Sequence, residues 1–486
     1  MANIFKHSIL GATMKQLGNL IERIIERINI NLRNFGFDAG PFVRKAIPLN
    51  QLVKFYASCG ITPQHPVHFH FNCSNLAGSY FYGKCMVDNA ILYKSDVRGD
   101  ELKAKGDWFN FQGAELPVYD DEVIRIKDAC LIKTLVHCYS HDPESLEEFF
   151  VQNTASMHYA NIHGSPVEGC FIGPFSTVDL TTAHDSIIGE FAYVQVGELS
   201  HQNVEPGKVW IKAGDLFEFS YAFPKKVLDN YIAIGFGEKP RGIFIDFVRS
   251  RKTDFQNIFD VVNLDAPINV PLGASLNRYA VVRGQSHISE NVLVAQRAYL
   301  RNAWLGKGAN AQENCYIIDS RLEGNNVTAH GAKIIHARLG ENVFVGFNSF
   351  LRGTHDFPLE IGERSIVMPH TIIDLNAPLK IPEGYIAWGY IRNAKDLARH
   401  SVSIKALSEV DGKFNLGAMK FKGSGAKFVQ AFKHRIEHIL EANGAFFDGS
   451  KNMGHAQKSQ DISFNIIHPY RKGPQKGIYP RIDIQP

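Results

Sequence analysis

The chain has 486 residues, 45% hydrophobic and 21% charged. This is a globular balance that excludes global disorder and suggests two to four domains at about 100–200 residues each. Lys and Arg number 52 against 49 Asp and Glu, a formal charge of +3, so no whole-protein field draws it to nucleic acid. Apolar runs such as 231–237 stay short of the roughly 18 residues of a spanning helix, and residues 1–10 lack a signal-peptide core. The seven cysteines are scattered with no C-x-x-C pair, which points to a reducing compartment and a cytoplasmic protein.

Residues 1–79 read as a helical and mixed segment. Leu17, Leu20, Ile21, Ile24, Ile25 and Ile28 recur at three- and four-residue steps with charged residues between them, an amphipathic helix suited to packing or to oligomer contacts. Residues 80–212 carry a weak period of six: Val87, Ile91 and Val97, then Ile126 and Ile132, Ile172 and Val178, Ile188 and Val194. Excursions at 101–123 and about 139–168 interrupt it, the first with Trp108, Phe109 and Phe111 expected to fold back over the coils. Residues 213–267 read as a linker with a small mixed segment. The glycine-rich stretch 235–242 lacks G-x-G-x-x-G spacing and is not read as a phosphate loop.

The informative stretch is 268–392, where the period of six is strong. Ile288, Val294 and Leu300 lead, and after a one-residue slip come Leu305, Ala311 and Ile317. Leu339, Val345 and Leu351 form another set, and Ile361, Val367 and Ile373 a fourth. Glycine follows Leu305, Leu339, Val345 and Ile361. Such a period predicts a parallel β-helix: each hexad makes a short strand and a corner, the aliphatic residue points inward, and a small residue fits the bend. Echoes between 97–100 and 282–285, and between 204–207 and 381–384, suggest two related β-helical units; a third, between 182–184 and 328–330, breaks that spacing. In 393–486 a stripe from Phe428 to Leu440 ends at Asn443-Gly444, a helix with a glycine stop. An extended basic tail follows, read as a solvated arm or one embracing a neighbouring subunit.

Residues 280–392 resemble the hexapeptide-repeat, left-handed β-helix superfamily, which includes many acyltransferases and the γ-class carbonic anhydrases. The resemblance implies a mainly β, left-handed parallel β-helix, a helix that packs back along the coils after the last turn, and a homotrimer; it does not cover the N-terminal helix or the tail. Leu305-Gly-Lys-Gly-Ala-Asn-Ala-Gln312 is similar to the anhydrase stretch leading to a first zinc histidine, but Ile318 or Asp319 stands where that histidine would be. His330-Gly-Ala-Lys-Ile-Ile-His336 is similar to the H-x-x-x-x-H segment, with one residue more. In the first unit, Arg98, Asp100 and His137 look like the family's Arg-Asp pair and first histidine, with His184 near the second pair.

These comparisons define the candidate residues. His330 and His336, expected to face outward on the coils, can act as metal ligands or bases, with Asp319 as a third ligand and His137 and His184 as weaker ones. Arg338 flanks the pair and can hold an anion, and Arg98 and Asp100 are candidate substrate-orienting groups. His355, in a segment that breaks the hexad count, resembles the catalytic histidine that acyltransferases carry beside such a bulge. Asp356 could orient it only if the chain turns back. His68 and His70 alternate as on a strand, with His65 nearby. The reading is an acyltransferase using a coenzyme A thioester and a small-molecule acceptor. The alternatives are a zinc hydratase like the γ-class anhydrases and a non-catalytic β-helix scaffold.

Overall fold

The structure, a computed structural model, describes residues 2–52, 56–62, 68–111, 113–139, 148–255, 268–468 and 479–484. It divides into two compact units, Met1–Pro206 with Asp229–Gly242 and Ile462–Pro486, and Gly207–Leu228 with Ile243–Asp461.

The second unit is a coil with three sides of parallel strands, the third side split into two sheets. One stacks Val281–Arg283, Tyr299–Arg301, Tyr316–Ile318, Lys333–Ile335, Phe350–Arg352 and Ile372–Asp374. A second stacks Trp304–Leu305, Arg321–Leu322, Ala337–Leu339 and Leu359–Ile361. The third side runs through Leu293–Val294, Asn310–Ala311, Val327–Thr328 and Phe344–Val345. Along the first two sides each of these strands pairs in parallel with the strand three elements later, the connectivity of a three-sided β-helix. On the middle coils corresponding residues are 17 apart, as Tyr299, Tyr316 and Lys333 are, whereas the coil that carries the His355 loop separates Phe350 and Ile372 by 22. The inward positions Ile288, Val294, Leu300, Leu305, Ala311 and Ile317 therefore step by six, six and five, which is the physical origin of the slip in the repeat. Val294, Leu339, Val345, Leu351, Ile361 and Val367 all lie in one buried core. Glycine follows the lead residue because a β-carbon at Gly306 would overlap the Glu323 carbonyl oxygen of the next coil.

The first unit has the same three-sided plan, with strands such as Leu135–Tyr139, Asn161–His163, Thr177–Asp179 and Tyr193–Gln195 on one side. Its coils are shorter, 16 residues from Asn161 to Thr177. The buried positions Ile162, Val167, Ile172, Val178, Ala183, Ile188 and Val194 step by five, five and six. This explains the weakness of the sixfold signal there. The expected excursion at 139–168 is mostly regular coil, since Phe150–Gln152, Ala155–Ser156, Asn161–His163 and Val167–Glu168 are all laddered strands. The excursion at 101–123 is a hairpin of Trp108–Phe111 and Ala114–Pro117. Trp108 is exposed on it rather than folded onto the coils.

The N-terminal stripe is buried within its own unit, and the C-terminal stripe is in part, with Phe428, Val429, Phe432 and Leu440 buried and Ile436 and Ile439 half-buried. Leu17, Leu20, Ile21, Ile24, Ile25 and Ile28 of the helix Ala2–Leu32 pack in one core with Ile91, Cys130, Ile132, Met157 and Phe171. In the second unit the helix Gly425–Asn443 starts on the Ser424 side-chain cap and stops at Gly444, at φ 81°. Its Phe428 and Phe432 pack on Phe219 and Phe344. The segment expected as a linker supplies a hairpin, Lys208–Ala213 with Phe217–Ala222, whose second strand pairs with Met419–Ser424. The basic tail is not a free arm where it is described. Ser463–Ile467 adds antiparallel to Ala57–Ile61 and Tyr479–Ile484 to Phe69–Ser74. Lys472 and Lys476 lie outside the described residues. No described helix is long and apolar enough to cross a membrane, and all seven cysteines are free thiols.

Candidate active site

On the second unit the chain turns from the first sheet to the second through residues with left-handed backbone. Asn302, Asp319 and His336 occupy equivalent corners on three successive coils, at φ 47°, 49° and 48°. Asn, Asp and His are the non-glycine residues that tolerate this region best. The corner stacks the three side chains one above another. Asp319 accepts hydrogen bonds from Arg301 (2.7 Å) and Asn302 (2.8 Å). Oδ2, the oxygen that accepts from Arg301, also lies 3.8 Å from His336 Nε2, an ion-pair distance longer than a hydrogen bond. Partial burial alone would raise the Asp319 carboxyl, but the hydrogen bonds from Asn302 and Arg301 and the nearby Arg301 charge outweigh it and hold the group below the usual carboxylate range.

This ladder lines a cleft of about 510 Å³, together with Trp304, Ser320, Arg321, Arg338, Thr354, His355 and Glu360. The structure thus brings four of the sequence candidates, Asp319, His336, Arg338 and His355, to one place. His336 stands at the wall with its side chain about a third exposed. His355 is 94% exposed on the loop at the mouth, its Nδ1 3.4 Å from the neighbouring Asp356.

His330 does not belong to this cleft. It was expected to face outward with His336, but it is 2% exposed, with Nδ1 2.8 Å from the equally buried Glu313 and its ring against Phe347. The extra residue between the two histidines puts them on different features of the coil: His336 at a corner, His330 in the turn before Lys333–Ile335. Within the second unit taken alone, no third His, Cys, Asp or Glu donor among the described residues converges with His336 and Asp319.

In the first unit His137 and His184 lie on different sheets. His184 faces Glu168 at 3.9 Å. His137 is buried, 3.7 Å from Glu101 and edge-on to His163. Arg98 is its register neighbour on the adjoining strand, with its guanidinium beside the Tyr82 ring. The Asp100 side chain and His65 lie outside the described residues. His70 pairs with Asp88 at 3.6 Å.

Three features were missed in the sequence. Asp179, fully buried, holds His163 Nδ1 at 2.8 Å and accepts from the Tyr193 hydroxyl. Glu313 is the partner of His330. Lys333 is fully buried, donates to the Gly331 carbonyl, and is pushed by burial down to about 7. The coil length is the signal that could have found the first two, since each pair is one coil apart.

The comparisons with known proteins follow the same lines. A family model described as "Hexapeptide repeat including loop" matches residues 114–235. A crystal structure from Desulfovibrio desulfuricans G20, named "putative acetyltransferase", is 55% identical, with 97% of this chain and 99% of that chain covered at a TM-score of 0.90. A Bacillus cereus structure with the same name overlaps at 13% identity and TM-score 0.25, over 36% of this chain and 87% of that chain. Among curated proteins none matches. The repeating coils and the full-length likeness define a hexapeptide-repeat β-helix protein. The chain belongs to the hexapeptide-repeat family.

Proposed function

We propose that the protein is an acyltransferase that moves an acetyl or related group from a coenzyme A thioester to a hydroxyl or amine on a small molecule. The observation that carries the reading is the position of His336, open to a cleft on one side and backed on the other by Asp319, which Arg301 and Asn302 lock in place. With Nε2–H turned toward Asp319, Nδ1 presents its lone pair to the cleft. It takes the proton of the acceptor as the acceptor's oxygen or nitrogen attacks the thioester carbonyl carbon. The carbon–sulfur bond then breaks, and the thiolate recovers that proton from the imidazolium. The name of the 55%-identical structure supports the same class. In this reading the working form is the left-handed homotrimer that the family resemblance implies, in the cytoplasm that the scattered cysteines point to.

The test is thiol release from acetyl-coenzyme A over an acceptor panel. His336→Ala should lower turnover by roughly two to four orders of magnitude while the donor still binds. If His355→Ala causes the larger loss, the base is the mouth histidine instead. Normal turnover in both variants would overturn the assignment. Light scattering checks the trimer.

A further inference from the structure

We infer that the acceptor is itself an anion, a small molecule bearing a carboxylate or phosphate, and that Arg338 is the group that holds it. The inference rests on the acyl-transfer reading of the cleft and adds the substrate class. It comes from pairing the charges of the cleft and its flanking coils. Asp319 is taken by Arg301. Arg321 is taken by Glu323 at 2.9 Å, and its guanidinium also lies over Trp304, 4.6 Å from the ring centroid. Glu360 is the register neighbour of Arg338, yet its carboxylate goes to Lys380 at 3.4 Å. Among the described residues, no carboxylate is within ion-pair reach of Arg338. Every acid that lines the cleft is matched to another base, and one exposed guanidinium is left over.

Position gives that guanidinium its role. Arg338 is two residues beyond His336, at most about 7 Å along an extended chain, on a strand that lines the cleft. An acceptor whose oxyanion meets Arg338 would hold its hydroxyl or amine near His336, within the length of a small sugar phosphate or hydroxy acid. A planar guanidinium binds either oxyanion through two parallel hydrogen bonds. Trp304 is not a stacking platform for the ligand: His287 stacks on it at 3.9 Å and Arg321 also lies against the ring. It serves as a rigid wall. The donor also carries phosphates, so the same chemistry has a second source. Proximity to His336 favours the acceptor.

The experiment uses full-length protein and three variants, Arg338→Ala, Arg338→Lys and Arg321→Ala. Glucose 6-phosphate, glucuronate and uncharged glucose serve as probes, read by calorimetry without donor and by thiol release with acetyl-coenzyme A. The two anions should bind and uncharged glucose should not. Arg338→Ala should weaken anion binding by roughly ten- to hundred-fold, the usual cost of a charge-assisted contact. It should raise the acceptor KM with little change in kcat, and Arg338→Lys should restore part of the loss. Arg321→Ala should have a much smaller effect on anion binding. Anion binding lost in Arg338→Ala without acyl transfer would uphold the anion subsite and sink the transfer reading. Acyl transfer equally fast to neutral and anionic probes, or an Arg338→Ala defect confined to the donor KM, would overturn this inference and leave the transfer reading standing.

Discussion

His336 Nε2 and Asp319 Oδ2 lie 3.8 Å apart although they are a full coil apart in sequence, because both occupy the left-handed corner of neighbouring coils. The carboxylate is fixed from behind by Arg301 and Asn302 and does not depend on His336 for its place. Asp319→Asn should therefore leave the fold intact and act through the orientation of the imidazole. Turnover should fall roughly ten- to thousand-fold with the donor KM nearly unchanged. A variant with normal kcat would show that Asp319 is only a corner residue.

Lys333 makes a prediction about pH. Burial pushes its amine down to about 7, against an ordinary value of 10.5. A lowered amine means that between these values the unfolded chain binds a proton that the native chain does not, so stability rises with pH across that window. The limit is about 1.4 kcal/mol per pH unit. Below about 7 the amine is protonated in both states and the slope from this group vanishes. Urea unfolding from pH 7 to 10 should show the rise, and Lys333→Met should flatten it and stabilise the protein near neutrality. An unchanged slope in the variant would assign the dependence to other groups.

The second β-helix was legible because its inward residues repeat as six, six and five, close to a pure hexad. The first was half hidden because five, five and six is not. Val167, Ala183 and Leu199 are core positions that a search for sixes passes over. At the site, the left-handed corners explain both the success and the failure. His336 and Arg338 were found as residue types beside a repeat. His330 was placed on the wrong side because one extra residue changes which feature of the coil a side chain occupies. Pairings one coil apart, such as His330 with Glu313, require the coil length, which only the ladder register supplies.

Val345 tests the register. It is fully buried, and its neighbours in the same core include Leu339, Leu351 and Val367. Val345→Asp places a carboxylate among them with no cation built to meet it, so unfolding free energy should fall by about 3 kcal/mol or more. Val345→Ile should cost about 1–3 kcal/mol through overpacking. An aspartate variant as stable as the parent in urea would mean that this side chain faces solvent.

The first unit carries a buried polar group whose cost can be measured without any activity. Asp179 is fully buried, as is Tyr193, and His163 is nearly so. The carboxylate receives His163 at one oxygen and the Tyr193 hydroxyl at the other. Tyr193 also contacts Gln195 Oε1 at 2.9 Å. Asp179→Ala removes the acceptor from both donors in a site closed to water, and should cost about 3–5 kcal/mol. Tyr193→Phe removes one neutral donor and should cost nearer 1 kcal/mol. Because the two groups share a contact, their effects should not add. A double variant less destabilised than the sum, by about 0.5–3 kcal/mol, is the expected coupling. Strict additivity in urea unfolding would show that the hydroxyl and the carboxylate do not interact.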